Sequence, residues 1–220
     1  MATAFASEFA VPPLFDYLAV YVWAVSGAIV GARKGFDMMG VAVVAIVSSV
    51  GGSLVRDGLF LHRTPPILTD GMYLPLILAA TAVVVFVKRR YGGLQRPEMT
   101  DRLVSVIDAL GTPAYAVIGM QLAMGYGLPL TGVLFVGLVN GVGGGLLRDV
   151  LVRDVPELFK PGQFSALVVL VACGLFIAMV SGLGLPNFAA ALVTIFVSFT
   201  ARLLIIRFNW RSRPVMRDLE

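Results

Sequence analysis

The chain has 220 residues, of which 58% are hydrophobic and only 14% charged, with a formal net charge of +4. An average soluble domain carries about 25% charged residues, and a soluble protein of this size has no interior large enough for so much apolar side chain. The composition excludes an ordinary soluble domain, a disordered chain and a coiled coil, and at a mean hydropathy of +0.90 it predicts an integral membrane protein.

A spanning helix needs about 20 mostly apolar residues. Seven stretches meet that need: Leu14–Ala32, Met38–Arg56, Met72–Val87, Leu103–Met124, Leu130–Leu147, Phe164–Leu183 and Phe188–Ile206. They predict an all-α membrane protein with seven transmembrane helices. Gly, Pro and charged clusters such as Arg33-Lys34-Gly35, Arg63-Thr64-Pro65-Pro66 and Gly184-Leu185-Pro186 punctuate them as turn and breaker signals. The first 13 residues hold no Lys or Arg, so no cleavable signal peptide is read. With the N-terminus outside, 15 of the 17 basic residues fall in cytoplasmic segments, and only Arg56 and Arg63 lie outside. Short loops obey this positive-inside bias; it predicts an outer N-terminus and a cytoplasmic C-terminus. The net charge is then an orientation signal, and no nucleic-acid partner is expected.

The chain also repeats itself. Shifted by 92 residues, segment 14–59 aligns without a gap on 106–151. Asp16 meets Asp108, Gly27 meets Gly119, Gly51-Gly52 meets Gly143-Gly144, and Arg56-Asp57 meets Arg148-Asp149. Hydrophobicity alone explains matched Val and Leu, but not matched Asp, Arg and Gly. The offset skips three spans, so the repeat unit is odd and its copies are expected to be inverted in the membrane. Inverted repeats are a frequent plan for transport proteins. The expected organisation is an outer arm (1–13), a first three-helix repeat (14–90), a cytoplasmic linker (91–102), a second, inverted repeat (103–183), a seventh helix (184–207) and a basic tail (208–220).

Two strings carry the candidate chemistry: Ser48-Ser49-Val50-Gly51-Gly52-Ser53-Leu54-Val55-Arg56-Asp57 in the second span and Asn140-Gly141-Val142-Gly143-Gly144-Gly145-Leu146-Leu147-Arg148-Asp149 in the fifth. Successive glycines loosen or bend a helix, and carbonyls freed at membrane depth must face protein or a water-filled path. Helical spacing puts Ser49, Gly52/Ser53 and Arg56 on one face, and Gly141, Gly144/Gly145 and Arg148 on the other. Such small-residue faces suit a permeation lining, with Ser49, Gly51, Gly52, Ser53, Gly141, Gly143, Gly144 and Gly145 as pore or kink residues. They also suit close helix packing, and the Arg that ends each face tips the reading toward a lining. An ionisable group inside a span usually has a partner. Asp16 with Arg56, and Asp108 with Arg148, form a predicted gate or ion pair at each mouth. Alternatively, the two Asp residues only favour their helix N-termini and the two Arg residues snorkel. Asp57 and Asp149 also enter the gate set, but they lie about 100° around the helix from the neighbouring Arg and are expected to face elsewhere.

Pro75 and Pro113 are candidates for helix kinks, and the single Cys173 reads as packing. The lone His62 and lone Cys173 exclude a multi-His or Cys-based metal centre. Lys88, Arg89, Arg90, Arg207, Arg211 and Arg213 are expected to face anionic lipid headgroups. No cofactor is expected; the ligands are permeant K+ or Na+ ions, with bound lipid as the one further ligand these basic segments admit. An enzyme is not expected, because no nucleophile–base or metal constellation appears.

Three plus three plus one spans, with a Gly-Gly-x-x-x-Arg-Asp element closing the second and fifth (Gly51 to Asp57, Gly143 to Asp149), resemble the trimeric intracellular cation (TRIC) channel family. The resemblance covers roughly 14–207 and is strongest to the prokaryotic members, whose duplicated domain is also called glycine-transporter-like. It implies a homotrimer with one pore per subunit for K+ and other monovalent cations, bordered by kinked second and fifth helices. It implies a counter-ion conductance and, for a compact chain, a prokaryotic cytoplasmic membrane. The competing reading is a secondary carrier for a small solute such as glycine, which an inverted repeat also suits.

Overall fold

The computed structural model describes residues 13–91, 97–159, 164–208 and 210. These form eight α-helices: α1 (Pro13–Arg33), α2 (Met38–Val55), a short α3 (Pro66–Thr69), α4 (Tyr73–Tyr91), α5 (Pro97–Gly125), α6 (Leu130–Leu151), α7 (Ser165–Ile177) and α8 (Asn187–Phe208). Two of them run on as a π-helical turn, α2 through Arg56–Phe60 and α7 through Ala178–Gly182. In each turn a main-chain N–H reaches back five residues, Leu61 to the Arg56 carbonyl at 3.0 Å and Leu183 to that of Ala178 at 3.1 Å. Among the described residues, five helices are long and apolar enough to cross a membrane.

The helix ends follow local chemistry. Asp37 caps α2, its carboxylate accepting from the Gly40 N–H at 2.7 Å, which satisfies one of the free donors of a first turn. Gly35 and Gly127, related by the same 92-residue offset, close the turns before α2 and α6 with φ of 76° and 72°, a region open mainly to glycine. Several boundaries differ from the hydropathy reading. The polar residues Lys88–Arg90 belong to α4, and α5 starts at Pro97 within the expected linker. Charged residues are compatible with helix once it leaves the hydrocarbon, so apolar length understates helix length. Pro75 lies in the first turn of α4, where a missing N–H costs nothing; Pro113 lies inside α5.

Each half of the chain has its own apolar core. Ala24, Ala28, Val41, Ala45, Ile77 and Ala80 join α1, α2 and α4. Met120, Val133, Cys173, Phe176 and Ala190 join α5, α6, α7 and α8. The outward faces are apolar too, with Phe196 70% and Phe86 63% exposed, as suits lipid contact and not water.

The halves meet where α2 crosses α6. A Cβ added to Gly52 would stand 2.5 Å from the Asn140 carbonyl oxygen, and one on Gly144 would strike the Ser48 carbonyl oxygen. A Cβ on Gly143 would lie 2.9 Å from the Gly52 Cα. The obstacles are backbone atoms, so only separation of the helices makes room. Within each half the pattern recurs: Gly27 faces Ser48 and Gly119 faces Asn140, leaving 2.6 and 2.7 Å for an added Cβ. Both glycine strings lie within helix and hold the crossing.

Gly52→Val and Gly144→Val should each lower the thermal unfolding temperature in detergent, by a destabilisation of about 1–3 kcal/mol or more. Gly174→Ala, in α7 with open space around its Cα, should be neutral or stabilising by up to about 1 kcal/mol. Equal unfolding temperatures for all three would contradict the crossing's role.

Candidate functional site

The α2–α6 crossing buries two guanidinium groups, Arg56 at the end of α2 and Arg148 in the last turns of α6, only 3% and 2% exposed. A cation so deep must be paired and hydrogen-bonded. Arg148 donates to both Asp108 oxygens, Nη2 to Oδ2 at 3.0 Å and Nη1 to Oδ1 at 3.2 Å. Its Nε donates to Asp149 Oδ1 at 2.9 Å, and Nη1 also to Ser26 Oγ at 2.8 Å. The second Asp149 oxygen accepts from the Glu157 N–H at 3.1 Å. Glu157 in turn takes Arg202 of α8 at 3.1 Å, and Arg202 reaches Ser165 Oγ at 2.7 Å. One polar chain thus ties α1, α5, α6, α7 and α8 together. Glu157 lies in the loop after α6, where burial raises its carboxyl above the ordinary range against the pull of Arg202.

Arg56 is held differently. Its Nε and Nη2 grip Asp57 at 2.7 Å each, and Nη1 donates to Asn140 Oδ1 at 3.2 Å. Asn140 donates through Nδ2 to the Tyr115 carbonyl at 2.6 Å. Arg63 approaches Asp57 at 3.4 Å. The balance of charge differs between the ends: two carboxylates serve Arg148, whereas two guanidiniums share Asp57.

Two sequence expectations need correction. Asp16 does not take Arg56; it accepts from the Tyr73 hydroxyl, while Arg56 donates to Asp57 and Asn140. Tyr17, its ring edge-on to Tyr73 at 5.9 Å, donates to Asp70 at 2.5 Å, which holds that half-buried carboxyl below its ordinary range. Nor do Asp57 and Asp149 face elsewhere. Each bonds the Arg before it, because a long, flexible Arg side chain spans the 100° step when burial makes the nearest carboxylate indispensable. Among the basic residues read as lipid-facing, Lys88 is exposed but donates to the Ala32 carbonyl in the last turn of α1. Arg89, Arg90 and Arg207 are exposed; Arg211 and Arg213 lie outside the described residues.

A cavity of about 10 Å³ sits between the two clusters at the crossing. Its walls come in pairs related by the 92-residue offset: Trp23 and Tyr115, Ser48 and Asn140, Ser49 and Gly141, Gly52 and Gly144, with Ser53 beside them. Ser49 and Ser53 return their hydroxyls to their own helix, on the Ala45 and Val50 carbonyls at 2.8 Å. Trp23 Nε1, Ser48 Oγ and Tyr115 Oη are buried without a protein partner. Gly51 and Gly143 lie in the helix contact and not on the cavity wall, and Gly145 lines the neighbouring cavity instead. That second cavity, of about 50 Å³, adjoins Arg148 and Asp108. Beyond it opens a vestibule of about 540 Å³ bounded by Arg33, Lys34, Asp101, Asp154 and Glu157. Arg33 pairs with Asp101, and Lys34 with Asp154 at 2.6 Å, across its rim.

Sequence reading passed over Ser26, Tyr73, Trp23 and Tyr115. None sits in a glycine string or near an Arg-Asp pair in the chain; only the offset pairing of positions 23 and 115 carried a signal, and the two residue types there are not identical.

The family model described as Glycine transporter matches this chain twice, over residues 13–89 and 105–181. A UPF0126 membrane protein of Deinococcus radiodurans is 33% identical over 208 residues, 90% of this chain and 91% of the relative. The crystal structure of a prokaryotic TRIC channel in 0.5 M KCl is similar with a TM-score of 0.78 and 28% identity, covering 90% of this chain and 96% of that one. The TRIC trimeric intracellular cation channel orthologue from Rhodobacter sphaeroides gives 0.79 and 25%, covering 90% and 98%. These relatives are not enzymes, and neither is this protein. The chain belongs to the family of the duplicated glycine-transporter domain and the UPF0126 membrane proteins, and is an integral membrane protein of the prokaryotic TRIC family.

Proposed function

We propose that the protein is a cation channel that passes monovalent ions, K+ among them, through each subunit along the α2–α6 crossing. The observation that carries this reading is a line of polar space inside an apolar protein: the Arg56 cluster, the central cavity, the Arg148 cluster and the open vestibule. The likeness to TRIC cation channels supports it. A cavity near 10 Å³ is at the limit for one water, so the described conformation is shut. An Arg beside a cation path is repulsive by itself. The Arg148 end has Asp108 and Asp149 against one guanidinium, and this surplus of negative charge favours cations there. The glycines serve the path by letting polar backbone from two helices approach; a bend at those glycines in the open state belongs to the same proposal.

The topology proposed is seven spans, α1, α2 and α4 to α8, in two inverted three-helix repeats plus α8. Reciprocity supports inversion: Gly52 lies on the Asn140 carbonyl and Gly144 on that of Ser48, the exchange that a two-fold relation produces and a translation does not. The N-terminus is proposed outside and the basic C-terminus in the cytoplasm, on the charge bias. A homotrimer in a prokaryotic cytoplasmic membrane and contact with membrane lipids complete the reading, on the likeness to the trimeric channel.

Purified protein in a planar bilayer under a KCl gradient should give unitary currents reversing near the K+ equilibrium potential. A silent bilayer together with labelled-glycine counterflow in liposomes would replace the channel with a carrier. Arg148→Ala should destabilise the protein by about 3–5 kcal/mol, the scale for stranding a buried charge, and alter the current. Asp108→Asn should keep the shape but lower cation over anion selectivity, read as a shift of the reversal potential. If Arg56→Ala and Arg148→Ala both fold and conduct as the wild type, the two clusters do not border the path.

A further inference from the structure

The proposed path is interrupted by one side chain. The central cavity and the Arg148 cavity share Trp23 and no other wall residue. A third space, an apolar groove of about 410 Å³ between α1, α5 and α8, also touches both of these only through Trp23. This indole is therefore the partition between the central cavity and the Arg148 cavity and, at the same time, a wall of the apolar groove.

Its seat is built from missing side chains. The Nε1 edge lies 2.1 Å from where a Cβ on Gly111 of α5 would be. The opposite edge, Cε3, Cζ3 and Cη2, stands 3.8–3.9 Å from the Cβ positions of Gly144 and Gly145 on α6. The face-to-edge contact with Tyr115, at 6.2 Å and 88°, closes the slot. Little anchors the ring there beyond packing. Trp23 is 4% exposed, yet its one polar atom has no partner, and neither do Ser48 Oγ and Tyr115 Oη on the cavity it seals. A buried Trp N–H usually finds an acceptor, so the seated position leaves polar groups unmet that water entering a joined cavity would satisfy. The groove beside it is lined by Leu18, Leu110, Ile118 and Leu192 and suits an indole.

We propose that Trp23 is the gate of the path: its indole occludes conduction while seated between Gly111 and Gly144-Gly145, and opens it by rotating into the α1/α5/α8 groove. This rests on the channel reading. Its sequence counterpart Tyr115 stays as the fixed wall, its main-chain carbonyl accepting from Asn140 of α6 at 2.6 Å.

The test is K+ flux into liposomes, with single-channel recording of the same preparations. Trp23→Ala should raise open probability about tenfold, as loss of a modest closed-state preference does. Trp23→Phe, which keeps most of the bulk but removes the unmet Nε1–H, should favour the seated position and lower open probability. Ala114→Phe narrows the groove away from the polar cavities, and should lower open probability without changing unitary conductance, which a purely structural role for the groove would not do. Should Trp23→Ala fail to elute as the wild-type oligomer, the Trp23→Phe and Ala114→Phe pair still decides. A conducting wild type with Trp23→Ala and Ala114→Phe indistinguishable from it overturns the gate and leaves the channel standing. Increased flux in Trp23→Ala with no effect of Ala114→Phe overturns the movement into the groove. No current from the wild type or from Trp23→Ala overturns the channel reading and the gate together, whereas current from Trp23→Ala alone supports both.

Discussion

The structure depends on a contact between two backbones. Where α2 crosses α6, Gly52 and Gly144 each lie against a carbonyl of the other helix, on Asn140 and Ser48. Each side chain omitted there lets the helices approach until main chain meets main chain. Helix association in lipid has no hydrophobic drive and relies on close packing of this kind. Each half of the protein has its own apolar core, with Val104 of α5 joining the first and Phe60 packing on the second, and this crossing brings the halves together. The same approach brings Arg56 and Arg148, each a turn beyond its glycine pair, into the interior.

Burial of those guanidiniums then organises the polar residues. A charge removed from water is costly until it is paired and its donors are met, and each Arg draws what lies within reach. For Arg148 that is Asp108, Asp149 and Ser26; for Arg56 it is Asp57 and Asn140. The two ends descend from one repeated sequence but are not equivalent in charge. The Arg148 end is richer in carboxylates and opens on a wide vestibule, while the Arg56 end shares its carboxylate with Arg63. A cation path built on a duplicated frame can be polar end to end and still have a direction.

Polar satisfaction is incomplete at the centre, as it also is at Gln121 and Thr194. Trp23 Nε1, Ser48 Oγ and Tyr115 Oη stay unmet around the smallest cavity, and buried unmet groups are where a structure holds back stability. Elsewhere the buried charges are locked, through Glu157 and Arg202 as far as α8. A paired and hydrogen-bonded charged frame thus surrounds a poorly satisfied centre.

The sequence by itself determined the lipid environment, the approximate places of the helices, the duplication, and the glycine and Arg-Asp strings on α2 and α6. These are properties of apolar length, spacing and repeated residue type, all local in the chain. Asp108 with Arg148 was readable because the duplication marked both. That Asp16 turns to Tyr73, that Asp57 and Asp149 serve their own neighbours, and that Ser26, Trp23 and Tyr115 enter the site was decided only by the tertiary structure. A carboxylate's partner is the donor nearest in space once water is excluded, and a cavity belongs to several helices at once. Hydropathy and spacing along one helix carry neither fact. The glycines show the division most clearly: their pattern announced a special place on two helices, but whether they bend a helix or admit another one depends on what stands opposite, and opposite Gly52 and Gly144 stands a carbonyl of the other repeat.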